Sequence, residues 1–270
     1  MTSRLIVNAD DFGLCNGVND AIQQAHNTGV LTSATLMASM PGAQKAVELA
    51  EEMPNLGVGV HLNLTEGPAV SNAVEVEILL DGKGRFAFSP ARIAIMSLLS
   101  SSVRKAIEIE LAAQIGWVLD NGIKPSHLDS HKHIHSFPSI YKIVGRIASR
   151  FGIGAIRWPF EPTVVLGSEW PAASKGGRTR AGIVRKMAAI NRYQDDSFIR
   201  NNALLGVAHT GKIDYEFFRA LIGSGIQGTI ELMTHPGFLD GLDLSKTRLT
   251  GQRERELEVL CSEDIKELLS

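Results

Sequence analysis

The chain of 270 residues has little cysteine: only Cys15 and Cys261. Two thiols so far apart form neither a disulfide framework nor a spaced metal motif, and a reducing, cytoplasmic setting is expected. It also lacks a basic excess. Lys and Arg number 27 against 29 Asp and Glu, a formal charge of −2, so there is no overall electrostatic footprint for nucleic acid. No run approaches the roughly 18 apolar residues of a membrane span. The N-terminus has no apolar stretch followed by a small-residue cleavage site, so no secretory leader is expected. Several catalytic signatures are missing: the Gly-x-Ser-x-Gly elbow, the phosphate-binding Gly-rich loop ending in Lys, and His-Glu-x-x-His. Gly57-x-Gly59 lacks the third glycine of a dinucleotide fingerprint. Hydrophobic residues at 44% and charged residues at 21% exclude a disordered chain.

What is present is an alternation. Short apolar runs at 5–9, 32–37, 56–64, 127–131, 153–158 and 229–234, with one more within 197–207, read as strands. Between them, apolar residues recur at helical spacing: Val18, Ile22 and Ala25; Ala43, Ala46, Val47 and Ala50; Val103, Ile107, Leu111, Ile115 and Val118; Ile140, Ile143, Val144 and Ile147. A further helix is expected over 93–99, others around Ile183 and Phe217, and a charged helical tail from Arg253. Residues 159–180, rich in Pro and Gly, read as a long loop. Strands alternating with helices imply a parallel sheet. About seven such units, with no linker between them, predict one α/β domain over 1–270, an open or closed barrel. In such sheets reactive residues collect at the carboxyl ends of the strands. Asp10-Asp11, His61, His131 and His235 all fall there.

Each of these residues has an ordinary reading beside the chemical one. Asp10-Asp11 suits a helix cap or an Asx turn. Alternatively, one carboxylate binds a cation while the other stays free to take a proton. His61, inside an apolar strand, is either a core histidine with a backbone partner or a ligand. Four of the eight histidines lie between His127 and His135, and such a tract suits metal binding. On an extended strand His127, Asp129 and His131 share one face. Residues four apart are then about 13 Å apart, whereas metal–nitrogen bonds are about 2.0–2.1 Å. His127 and His131 therefore cannot share one ion, and spacing alone does not choose between them. His235, before Pro236-Gly237, reads as a turn residue or a general acid. Arg157, at a strand end beside Trp158, suits sugar hydroxyls, support of a catalytic base or a plain ion pair. The basic run of Lys175, Arg178, Arg180, Arg185 and Lys186 reads as a solvated face, with an anionic contact as the alternative.

Four segments carry a family resemblance: Val7-Asn8-Ala9-Asp10-Asp11-Phe12-Gly13, Gly59-Val60-His61-Leu62-Asn63-Leu64-Thr65, His127-Leu128-Asp129-Ser130-His131-Lys132-His133-Ile134-His135, and Glu231-Leu232-Met233-Thr234-His235-Pro236. In this order they resemble the YdjC-like carbohydrate deacetylases, also called the ChbG/HpnK family. The resemblance implies a variant (β/α) barrel related to polysaccharide deacetylases. It implies hydrolysis of an N-acetyl group from an amino sugar, with release of acetate. It assigns Asp11, His61 and His131 to one divalent ion, magnesium or zinc. Asp10 becomes the base and His235 the acid that protonates the leaving amine. The expected partner is an N-acetylated sugar, and the family suggests a homodimer. A phosphoesterase or a non-catalytic sugar-binding protein on the same barrel is the alternative.

Overall fold

The computed structural model describes residues 3–192, 197–245 and 247–270. Met1 and Thr2, on which the leader reading begins, lie outside the described residues. Among the described residues, six parallel strands form one sheet: β1 (Arg4–Phe12), β2 (Ser33–Leu36), β3 (Gly57–Leu62), β4 (Leu128–Ser130), β5 (Ala203–Leu205) and β6 (Thr229–Thr234). Their spatial order is β4-β3-β2-β1-β6-β5, curled into a half-barrel. β1 lies in the middle because Val7 and Ala9 pack into the core, and it is paired on both sides.

The helices are α1 (Asn16–Thr28), α2 (Ala43–Glu52), α3 (Pro90–Leu99), α4 (Ser101–Asp120), α5 (Pro138–Phe151), α6 (Lys175–Asn191), α7 (Tyr215–Gly223), α8 (Gly251–Cys261) and α9 (Glu263–Leu269). Local chemistry explains their ends. Ser89, Ser100, Ser174, Asp214 and Ser262 each accept a backbone N–H of the first turn with the side chain, satisfying a donor that lacks an intrahelical partner. Pro138 opens α5, and Gly152, in the left-handed region, ends it.

The expected fifth strand, 153–158, is not a regular strand. Its contacts are isolated bridges, Leu128 with Ile156 and Ala155 with Ile199. The same chain bonds to both edges of the sheet. Leu128 N–H donates to Ala155 O, Arg157 N–H donates to Leu128 O, and Leu204 N–H donates to Phe160 O. The irregular segment thus links β4 to β5 and delivers Arg157 to the interior. Pro159 and Pro162 follow it closely, and proline supplies no ladder donor.

The loop expectation for 159–180 also needs revision. A 3₁₀ turn, Thr163–Leu166, and the start of α6 fall within it. Strand β4 stops at Ser130, earlier than expected. Lys132 and His133 have φ of 55° and 54°, which turns the chain out of the sheet immediately after His131. No helix among the described residues is long and apolar enough to cross a membrane.

Candidate metal and catalytic site

The site begins with an irregularity in β1. Ala9 opposes Ala34 and Phe12 opposes Leu36, so three steps on β1 match two on β2, a β-bulge. Asp11 absorbs the extra residue at φ 71°, a conformation that costs a non-glycine residue roughly 1–3 kcal/mol. On a regular strand Asp10 and Asp11 would face opposite sides. The bulge instead brings both toward one histidine: His61 Nε2 lies 3.6 Å from Asp11 Oδ1 and 4.0 Å from Asp10 Oδ2.

The barrel interior behind them is polar. Asn8 Nδ2 donates to Asp10 Oδ1 at 2.9 Å, as expected of residues two apart on one strand. Register places His61 beside Asp129, and Asp129 Oδ1 lies 2.7 Å from His61 Nδ1. Thr35 Oγ1 donates to Asp129 Oδ2. Arg157 lies at the centre with its side chain 0% exposed. Its guanidinium contacts both oxygens of Asp10 at 2.7 and 3.0 Å, Asp129 Oδ2 at 2.6 Å and Glu231 Oε1 at 2.8 Å. These contacts commit its guanidinium to three carboxylates of the interior. The geometry fits one of its expected roles, support of Asp10.

Burial, the largest influence, opposes ionisation of Asp10, yet Arg157 and His61 together hold the carboxyl below its usual value. Burial likewise opposes a charged His61, while Asp129 and Asp10 raise its affinity for a proton. Burial is the largest influence on Glu231 and pushes it up to about 7 against the pull of Arg157.

At the carboxyl ends of the strands, three donors converge. Ligand atoms of Asp11, His61 and His131 all lie within 4.8 Å of one another. His131 Nδ1 is 3.1 Å from Asp11 Oδ1. That oxygen is buried and makes no hydrogen bond, although two imidazoles face it. An orphaned buried carboxylate oxygen between two ring nitrogens fits a divalent cation, since mixed carboxylate and imidazole donors suit several such ions. The other carboxylate oxygen, Oδ2, is held by Arg253 at 2.6 Å. Asp10, His61 and Asp129 form a second compact group, but Arg157 already supplies the positive charge among its carboxylates.

His131 illustrates the electrostatics of the cluster. Burial disfavours its charged form, but Asp11 and Glu66 overcome this and raise it to about 9. His235 follows β6 and behaves in the opposite way. Burial pushes it down to about 4, despite Asp11 and Asp10 nearby, so its ring is neutral at pH 7. Its backbone N–H donates to Glu256 at 2.7 Å.

The remaining histidines separate from this cluster. His127 Nδ1 lies 2.9 Å from Ser126 Oγ, and its ring covers Gly59, where a Cβ would lie 2.6 Å from His127 Cε1. His135 bridges Ser130 Oγ and the Arg157 carbonyl. His133 is buried at 5% exposure, with burial and Arg157 holding it well below its usual value.

Sequence reasoning passes over four residues that surround the site. Glu66 contacts His131, Arg253 contacts Asp11, and Glu256 holds the His235 backbone. Asn63 organises the loop that carries Glu66. For Glu66 and Asn63 the signal was available, since both fall within or directly after the His61 motif. For Arg253 and Glu256 it was not, because a charged helical tail looks solvent-facing until it is placed.

Comparison with known proteins agrees with this architecture. A carbohydrate deacetylase of Brevibacillus brevis is 36% identical over 267 residues, covering 98% of this chain and 94% of the relative. A chitooligosaccharide deacetylase of Salmonella paratyphi B is 34% identical, covering 97% and 92%. The crystal structure of an Enterococcus faecalis protein superposes with a TM-score of 0.79 at 25% identity, covering 100% of this chain and 94% of the other. The family model described as YdjC-like protein matches residues 4–270, and the chain belongs to that family.

Proposed function

We propose that this protein is a metal-dependent hydrolase that removes the N-acetyl group of an amino sugar. The observation that carries the reading is the convergence of Asp11, His61 and His131 about a buried carboxylate oxygen with no hydrogen-bond donor. The relatives named as carbohydrate and chitooligosaccharide deacetylases support the reaction class. Asp11, His61 and His131 would hold the ion, magnesium or zinc. A divalent ion supplies Lewis acidity, which polarises an acetyl carbonyl and acidifies water.

The chain's own groups account for the proton movements. Asp10 is kept ionised by Arg157, so a carboxylate is available beside the cluster to take a proton from water. Arg157 also fixes its direction by contacting both oxygens. His235, at the carboxyl end of β6 next to β1, serves as the donor to the departing nitrogen. Its ring is neutral at rest and must take up a proton in the substrate complex. An imidazole that binds a proton weakly is then a strong acid toward the amine. Amide hydrolysis needs both transfers, because the nitrogen leaves poorly without a proton.

The test is acetate release from N-acetylglucosamine oligomers, with aryl phosphates assayed in parallel, before and after complete metal removal. Acetate release that stops with the chelator and returns with Mg2+ or Zn2+ is expected. Asp10→Asn and His235→Ala should lower kcat at least 100-fold, in the range of lost acid–base catalysis, with metal still bound. Turnover unaffected by metal removal, or cleavage of the phosphate ester alone, would refute the reading.

A further inference from the structure

We propose that Glu66 is a positioning residue that acts through His131. The inference rests on the metal-site reading above. His131 presents Nδ1 to Asp11 at 3.1 Å, and its far nitrogen, Nε2, lies 3.3 Å from Glu66 Oε1. An imidazole can ligate through one nitrogen only if the proton sits on the other. A carboxylate at the far nitrogen fixes that tautomer and the direction of the ring. His61 has the mirror arrangement, with Asp129 Oδ1 2.7 Å from Nδ1 while Nε2 faces Asp11. Each candidate imidazole ligand therefore has its own carboxylate, Asp129 from the barrel interior and Glu66 from a loop.

A loop residue can serve this purpose only if the loop is rigid, and this one is held at several points. Asn63 Oδ1 accepts the backbone N–H groups of Thr65 and Glu66, and Asn63 Nδ2 donates to the Glu66 carbonyl at 2.6 Å. Asn63 is itself fixed by Gln114 of α4, which accepts its N–H and donates to its carbonyl. Gln114 also donates to Glu110, whose carboxylate accepts the N–H groups of Val70 and Ser71. Gly67, at φ 73°, makes the turn after Glu66. Both sides of Glu66 are thus tied to one buried stretch of α4. Lys132 Nζ lies 2.5 Å from the same Glu66 oxygen, reaching it because the left-handed turn at 132–133 folds the chain back over the loop. Lys132 and His131 thus meet at one and the same oxygen of Glu66.

The test uses the full-length metal-free protein titrated with Co2+, whose visible d–d bands report ligand geometry. Wild type should bind Co2+, and His131→Ala should not. Glu66→Ala is expected to bind 10–100-fold more weakly, the usual effect of losing a partner of a metal-ligating histidine, with shifted bands. Glu66→Gln should fall between the two, because its amide oxygen can still face Nε2 but carries no charge. Glu66→Gln preserves the side-chain shape and decides the matter alone if the alanine variant unfolds. Affinity within twofold of wild type and superimposable spectra for Glu66→Gln and Glu66→Ala would overturn the proposal. So would complete loss of Co2+ in Glu66→Gln, which would make Glu66 a ligand. Wild-type uptake that survives His131→Ala would instead overturn the metal-site reading itself. Failure of the wild type to take up Co2+ would overturn both.

Discussion

Replacing Arg157 with Met isolates the central electrostatic element of the barrel. The guanidinium is the cation shared by Asp10, Asp129 and Glu231, at 2.6–3.0 Å, with a side chain 0% exposed. Methionine has similar length but leaves three buried carboxylates without that charge. Removing one partner of a buried ion pair costs about 3–5 kcal/mol. For a chain of 270 residues each kcal/mol lowers Tm by about 2 °C, so the melt should fall by about 6–10 °C. The loss should depend on pH. Without Arg157 the carboxylates bind protons more tightly in the folded than in the unfolded state. Stability is then retained at low pH and lost as pH rises through their folded pKa values. Asp10 and Asp129 add to the difference first, and Glu231, already at about 7 in the wild type, adds to it as pH rises past that value. The drop should therefore be larger at pH 8 than at pH 5. Arg157→Met combined with Glu231→Leu should recover part of it, because one orphaned carboxylate is removed. Calorimetric melts of the metal-free protein at both pH values provide the measurement. A drop below about 2 °C, or one of equal size at pH 5 and pH 8, would show that the three carboxylates do not depend on this cation.

Three further outcomes are expected. Glu161 is buried and raised to about 7 by desolvation, although it accepts the N–H groups of Gly206, Val207 and Ala208. Its folded pKa exceeds its unfolded value, so its contribution is fully present below about pH 4.5 and is lost toward pH 7, by roughly 3 kcal/mol. In urea melts the stability of wild type relative to the non-titrating Glu161→Gln should fall by about this amount between pH 5 and pH 7.5; a difference constant across that range would count against it. Gly59→Ala should destabilise by about 1–3 kcal/mol, since a Cβ there would meet the His127 ring at 2.6 Å. Combining it with His127→Ala should relieve most of the loss, and a double variant no more stable than Gly59→Ala would reject the steric cause. Glu110→Ala, which strands the N–H groups of Val70 and Ser71, should speed amide exchange at those two positions at least tenfold while leaving β1 and β6 unchanged. Unaltered exchange at 70–71 would show that this carboxylate does not hold the loop.

Much of this molecule was written into local pattern. Apolar periodicity located α4 and α5, and the run at 229–234 coincides with β6, because each element must bury one stripe or face whatever surrounds it. The alternation of elements gave parallel strands, and with them the end of the sheet where Asp11, His61, His131 and His235 gather. Other features depended on distant chain. The bulge at Asp11 exists only against β2, so sequence could not show that adjacent carboxylates would approach the same histidine. The irregular course of 153–158 follows from its two different neighbours, β4 on one side and the approach to β5 on the other. Sequence left Arg157 open between sugar hydroxyls, support of the base and an ion pair, and only the fold shows carboxylates from three strands around it. Glu66, Arg253 and Glu256 acquire their partners across separations of 65, 242 and 21 residues. Composition and periodicity fix which face of an element is apolar. Which charges meet inside is decided by register and closure, because a buried ion pair is a property of two segments and is absent from either one alone.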